Sequence, residues 1–352
     1  METIKIGNQV MCRESAVKVN TSNRRLNSIV QEILVRDFPE LGGAGWKCRG
    51  KIIQEDDEVT VLRVQVISQQ ASRAYWIKDW KDKNWDHAEN EAVALSKLQK
   101  VFSSNPRLFV PRLVVWDPDG KYIATEDFKG ATYRTVLLWN CMFPSKYSKL
   151  LVCTDEIVDW LRCFQASTVH KRSKIDTEEL DREFSSRLSV CFEQGFLSKH
   201  MFESLSEAYK TCLVAVQDTE FKIVPVHGDF GPINILVGET GVCAVDFEVY
   251  HYGPNHVDVC YMWASLLAMS TYHVLGRACL RGLIERFLHE SRFKLDLDKQ
   301  GLQLELLRIL LKKAYNSVRL GFKRSQQGRL GWMARAYFYR SLLARFLKGG
   351  LF

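Results

Sequence analysis

The stretch Val224–Tyr250, "VPVHGDFGPINILVGETGVCAVDFEVY", constrains the fold more than any other part of the chain. Its apolar runs "KIVPVH", "INILV" and "VCAVDF" are too short for helices and are bounded by Gly and Pro, so they read as short buried strands. Asp229, Asn234 and Asp246 then fall at or beside strand ends, where polar groups can converge on one pocket. An ionised carboxylate left unpaired in so apolar a setting costs on the order of several kcal/mol. A bound cation removes that cost. Hard oxygen ligands suit Mg²⁺, which commonly binds through one or two carboxylates together with substrate phosphates.

The chain has 352 residues, 46% of them hydrophobic and 26% charged, enough for a core in each of two lobes. An early helix, Ser22 to Arg36, precedes three β-rich runs, "WKCRGKIIQ", "EVTVLRVQVIS" and "RAYWIKDW". Short polar breaks separate them, which predicts an antiparallel meander. "DHAENEAVALSKLQKVF" follows, with Ala88, Ala92, Leu95, Leu98 and Phe102 at helical spacing, and then two more strand-like runs, "RLVVWD" and "KYIATEDF". Beyond Gly130 the pattern is mostly helical. The expectation is an α+β chain with a small antiparallel-sheet lobe at 1–128 carrying one key helix and a larger, mainly helical lobe at 129–352. No repeat, low-complexity segment or Pro/Gly-rich linker separates the two.

His227, Gly228, Asp229 and Asn234 form an HGDxxxxN pattern, and Val245 to Glu248 read VDFE. The pair, in this order and spacing, resembles the aminoglycoside phosphotransferase family, the small-molecule branch of the protein-kinase-like superfamily. HGD alone is frequent by chance, and an aspartate in a tight turn more often caps backbone; the combination makes the match specific. The resemblance implies a two-lobed protein-kinase-like fold, ATP and Mg²⁺ as cofactors, Asp229 as the base that accepts the acceptor hydroxyl's proton, and Asn234 and Asp246 as metal ligands. It also makes Asp258, in "GPNHVDVCYMW", a structural acid of the larger lobe.

The same resemblance calls for a strand lysine on the nucleotide phosphates and a helix glutamate to hold it. Lys78 in "AYWIKDW" shares a face with Trp76 and opposes Tyr75 and Ile77; the alternative is a surface lysine on an edge strand. Glu91 lies inside the apolar stripe of its helix whereas Glu89 lies off it, so Glu91 is the preferred partner. Three departures stand out. The loop over the phosphates, Gln54 to Glu58, has no glycine; Trp76 takes a position where the family has a smaller aliphatic residue, against the adenine; and nothing in "KIVPVHGDF" identifies the acceptor.

Charge bears on the acceptor. From Gly301 to Phe352 four Lys and seven Arg face one acid, Glu305, which gives +10 within a chain of net +8. Such a field disfavours a polycationic aminoglycoside and suits a neutral or anionic hydroxyl compound such as a sugar, a glycan end or a lipid-linked saccharide. Aminoglycoside or amino-alcohol kinase, and a pseudokinase or binding scaffold, are the alternatives. Nucleic acid as the primary partner has only the basic tail behind it. In "GRLGWMARAYFYRSLLARFLKGG" Arg335, Arg340 and Arg345 recur beside an Ala334, Phe338, Leu342, Phe346 row, which reads as a terminal helix either packed on the larger lobe or facing an anionic membrane or a phosphate-bearing acceptor. Ten cysteines without a CxxC pair, a start "METIKIGNQV" without a leader pattern and no apolar run of ~20 residues predict a cytoplasmic protein, at most peripheral at the inner face of a membrane.

Overall fold

The computed structural model describes residues 3–6, 9–13, 29–30, 32–33, 35–37, 47–55, 59–67, 72–80, 85–118, 121–168, 171–323 and 326–349. The chain divides into two compact units, residues 1–130 with 238–250 and residues 131–237 with 251–352.

In the first unit, strands β1 (Thr3–Ile6), β2 (Gln9–Arg13), β3 (Lys47–Glu55), β4 (Val59–Ile67) and β5 (Ser72–Trp80) precede helix α1 (Trp85–Phe102). After β6 (Leu108–Phe109) come β7 (Leu113–Asp117) and β8 (Tyr122–Glu126). The sheet order is β1-β2-β3-β4-β5-β8-β7, so β5 is an inner strand and Lys78 is not at an edge. β3, β4 and β5 form the expected antiparallel meander. β1 and β2 were not anticipated, and β2 pairs with β3 in parallel. Their four and five residues, "TIKI" and "QVMCR", carry too little alternation to register as strands.

Period two sorts the sheet's faces. Tyr75 and Ile77 are fully buried in a core with Val64, Val66 and Ala124, covered by Ile29, Val30 and Ile33. Those last three fall within the predicted early helix, of which residues 29–30, 32–33 and 35–36 are helical and the remainder lies outside the described residues. On the opposite face Trp80 and Ile123 pack with Ala88 and Ala92 of α1, the apolar stripe read from the sequence. Strand β13 (Val242–Ala244) pairs in parallel with β6.

The second unit holds β9 (Ala131–Thr132), α2 (Tyr133–Asn140), α3 (Tyr147–Gln165), β10 (Lys171–Ser173), α4 (Thr177–Glu193), α5 (Lys199–Val216), β11 (Phe221–Val226) and β12 (Ile235–Val237). It continues with β14 (His251–Pro254), α6 (Val257–Tyr272), α7 (Arg277–Leu295), α8 (Lys299–Lys323) and α9 (Gln326–Leu347). Capping fixes several starts: Thr132 accepts from the Thr135 N–H, and Asp176 from the N–H groups of Glu178 and Glu179. α6 is buried nearly all round, which explains the apolar run near Tyr261 without a membrane span. No helix among the described residues is long and apolar enough to cross a membrane. α9 packs on α8 and α6 with Leu342 and Leu343 fully buried, while Ala334, Arg335 and Arg345 are exposed.

Candidate active site

In the first unit β5 delivers Lys78 to a set of acids. Its Nζ lies 2.8 Å from Glu91, 2.5 Å from Asp246 and 2.9 Å from Glu248. Glu91 is buried on the inner face of α1, and Glu89 is exposed. Burial alone would lower the Lys78 pKa, but the three carboxylates outweigh it and hold the ammonium well above its ordinary value. Burial, with Asp246 and Glu248 nearby, pushes the Glu91 carboxyl up to about 7 against the opposing pull of Lys78. One ammonium among three carboxylates leaves an excess of negative charge.

That excess fits a divalent cation. Glu91, Asp246 and Glu248 each offer an oxygen, and all three oxygens lie within 4.8 Å of one another, a hard donor set of the kind Mg²⁺ takes. Asp246 follows β13 by two residues and has φ 73°, a left-handed conformation uncommon for a residue with a side chain and best tolerated by Asp and Asn. Such strain is kept where the surroundings over-determine it.

In the second unit the HGDxxxxN residues sit between β11 and β12. Asn234 Nδ2 donates to Asp229 Oδ2 at 2.9 Å and to the Asp229 carbonyl at 3.0 Å, which fixes the carboxylate and leaves the amide Oδ1 as the atom able to meet a metal. Asp258, in the first turn of α6, accepts from the His227 and Gly228 N–H groups at 2.8 and 3.0 Å. Burial raises its carboxyl pKa, and those two N–H groups and His227 pull it back. Gly228 has φ 80°, so the turn that aims Asp229 requires glycine. Phe230, fully buried, stacks on Trp160 of α3 at 5.4 Å and anchors the loop.

Asp229 opens onto a cavity of about 500 Å³ within the second unit. Tyr261 and Tyr272 of α6, Lys313 of α8, and Arg335, Phe338 and Tyr339 of α9 line it, together with Arg134 of α2. The terminal helix is therefore a wall of this cavity as well as a packing element.

Residues 173–296 match the family model described as "Phosphotransferase enzyme family" (APH). The match spans 124 of the 352 residues. No curated protein matches the chain. Among solved structures, a putative aminoglycoside phosphotransferase from Ralstonia eutropha is 14% identical with a TM-score of 0.57, over 92% of this chain and 98% of that one. The streptomycin–ATP ternary complex of APH(2″)-IIa is 11% identical with a TM-score of 0.52, over 94% and 99%. A choline/ethanolamine kinase family protein from Mesorhizobium loti is 13% identical with a TM-score of 0.52, over 91% and 94%. These likenesses show the protein-kinase-like fold that the motif pattern implied. The family match agrees with the expected phosphotransferase class.

The structure thus brings Lys78, Glu91 and Asp246 together in one unit, and Asp229 and Asn234 in the other. Sequence reasoning missed Glu248, although its place two residues after Asp246 was a usable signal. It also missed Lys313 and Arg134, whose local sequence says nothing about the cavity. Trp76 has a definite partner: its indole N–H donates to Asp127 at 2.6 Å, and Arg63 holds the same carboxylate. Of the glycine-free loop, Gln54 and Glu55 end β3, and residues 56–58 lie outside the described residues.

Proposed function

We propose that the protein is a Mg-ATP-dependent kinase that moves the γ-phosphate to a hydroxyl of a neutral or anionic saccharide-type acceptor. The observation that carries the reading is Lys78 held by Glu91 beside the carboxylate of Asp246. Lys78 positions the phosphates. Asp246, with Glu248 beside it, would hold Mg²⁺, and the resemblance gives Asn234 a metal role too; when bound, the metal offsets phosphate charge. Asp229 takes the proton of the acceptor hydroxyl as its oxygen bonds to the γ-phosphorus and the bond to the β–γ bridging oxygen breaks, releasing ADP.

The cavity at Asp229 supports the acceptor class. Tyr261, Tyr272, Phe338 and Tyr339 offer faces for a sugar ring, and Asp229 is the one acid among the described lining residues, a poor match for a polycation. Solved relatives of the fold carry names that include streptomycin and choline, so both acceptor types belong in the test. A Mg-ATP turnover assay against sugars, sugar acids, glycans, aminoglycosides and amino alcohols, with product mass read directly, should show one added phosphate on a saccharide. Exclusive turnover of an aminoglycoside or amino alcohol would reject the acceptor class, and absence of Mg-ATP binding would leave a pseudokinase scaffold.

Peripheral contact with an anionic membrane has its own observation. Val274 and Leu275, in the turn between α6 and α7, are 67% and 83% exposed, and Trp139 near the end of α2 is 66% exposed. His273 Nε2 meets the Leu138 carbonyl at 2.8 Å, so the two apolar segments adjoin. Arg277, Arg281 and Arg345 line a cleft of about 280 Å³ with Tyr337 in the same region. Apolar side chains flanked by arginines suit an anionic leaflet, at ~1 kcal/mol per basic residue near the surface. Co-sedimentation with phosphatidylserine-containing vesicles should exceed that with phosphatidylcholine vesicles, and should fall with salt and with Leu275→Ser or Arg345→Gln. Equal, negligible binding to both vesicle types would leave the patch without this role.

A further inference from the structure

Two side chains that line the Asp229 cavity, Ile233 and Tyr272, are apolar or aromatic and yet exposed, so the cavity's rim is apolar where they form it. Two elements then lead from the cavity wall to the exposed patch of Trp139, Val274 and Leu275. Helix α2 lines the cavity with Arg134 and carries Trp139 five residues on, ~7.5 Å along its axis. The end of α6 places Tyr272 in the wall, and Val274 and Leu275 follow it closely in the chain. The Tyr272 ring packs on Phe338 of α9 with centroids 5.7 Å apart, which fixes the wall. The turn is fixed too: Gly276 comes so near the end of α2 that a Cβ there would lie 2.7 Å from the Cys141 Cβ. Cavity, rim and patch are one continuous surface of the second unit.

We infer that the acceptor is an amphiphile drawn from a membrane leaflet: its polar head, with the reacting hydroxyl, occupies the cavity, and its hydrocarbon tail passes over Ile233 and Tyr272 to the Val274 and Leu275 turn. The inference rests on the kinase reading above and names its acceptor more closely. The cavity, about 500 Å³, has the size of a small-molecule site, which fits a compact head group. A free sugar would fill that space and leave the apolar rim in water. A tail that crosses the rim takes apolar area of both partners out of water, which raises affinity roughly fourfold per buried methylene. The leaflet is the source because the turn at the far end of the path is the proposed membrane contact, so the tail stays in lipid while the head reaches Asp229.

The transfer keeps its balance: the head's hydroxyl oxygen bonds to the γ-phosphorus, its proton goes to Asp229, ADP leaves, and the tail is unchanged. The product is a lipid with a phosphorylated head. The class of reaction that supplies the substrate is therefore the attachment of a polar head to a lipid carrier.

The test locates the tail directly. The full chain is mixed with vesicles of phosphatidylcholine and phosphatidylserine that carry an alkyl β-glucoside with a diazirine beside the glycosidic end of its tail. After irradiation, adducts are mapped by peptide mass spectrometry. Labelling at Ile233 and Tyr272 should exceed that at Val214 and Phe293, exposed apolar side chains elsewhere in the second unit, by ~10-fold, the worth of about two buried methylenes. A phosphatidylcholine with the diazirine in the same part of its chain should reach Val274 and Leu275 and spare Ile233. Leu275→Ser, at an exposed position and checked by a melting curve, should cut glucoside labelling of Ile233 several-fold. Four results would overturn the inference: labelling at Val214 and Phe293 equal to that at Ile233, equal labelling of Ile233 by the two probes, an unmoved Leu275→Ser variant, or labelling by the free glucoside monomer and not by the vesicle-borne one. Mg-ATP binding is measured in parallel: its absence sinks the kinase reading whatever the adducts show, while Mg-ATP turnover of a water-soluble sugar with no labelling of the rim sinks only the amphiphile.

Discussion

Asp246→Asn should abolish Mg²⁺-dependent ATP binding, with a loss of affinity greater than ~100-fold, since changes merely outside a metal's ligand shell already cost ~10–100-fold. Asp246 is one of three carboxylates around Lys78, and it is the acid that the VDFE pattern assigns to the metal. Without a bound metal Lys78 is the cation in that cluster, so the lysine and Mg²⁺ draw on the same oxygens. Removing the Asp246 charge leaves Glu91 and Glu248 to Lys78 and takes away the metal's most accessible carboxylate, the one 37% exposed. Asparagine is the informative replacement because it tolerates φ 73°, whereas alanine would add backbone strain on the order of 1 kcal/mol. Calorimetry with Mg-ATP, alongside a melting curve as the folding control, gives the answer. Parent-like affinity in a folded variant would remove Asp246 from the metal assignment.

Asp229→Asn should leave Mg-ATP affinity and folding close to the parent while turnover falls ~10²- to 10⁴-fold, the usual contribution of a positioned base. The loop should hold its shape, because Asn234 Nδ2 keeps its bond to the residue 229 carbonyl, Asp258 still takes the His227 and Gly228 N–H groups, and Phe230 stays on Trp160. A second readout comes from Lys313. Asp229 raises the pKa of that lysine, so removing the charge should shift the midpoint of its amine labelling below about 8. Near-full turnover of a verified acceptor would show that another group accepts the proton. An unmoved Lys313 midpoint would show that the two side chains are not coupled.

Much of this chemistry was legible because it sits in local patterns. The alternation of Tyr75, Trp76, Ile77 and Lys78 along one strand is a period-two signal, and Glu91 stands out as a charge inside an apolar stripe. The spacing from Asp229 through Asn234 to Asp246 was equally local. What stayed hidden depends on chain segments far apart in sequence. Lys313 belongs to "LLKKAY", an ordinary amphipathic helix pattern, and only the packing of α8 near α6 puts it over Tyr261. Arg134 follows a capped helix start and looks like a solvated charge until the Pro232 carbonyl ties its backbone to the HGDxxxxN loop. The tail was read as either packing or contact surface; α9 does both, because Leu342 and Leu343 turn inward while Arg335 and Phe338 reach the cavity.

That last arrangement separates two kinds of change. The residues given phosphoryl-transfer roles lie between positions 78 and 246, whereas Arg335, Phe338 and Tyr339 are supplied by the terminal helix. Substitutions in α9 can reshape the cavity wall while the HGDxxxxN and VDFE patterns stay intact. On the kinase reading proposed above, α9 is the part of the cavity wall that can be regrafted as a cassette without touching the segment that carries the HGDxxxxN and VDFE patterns.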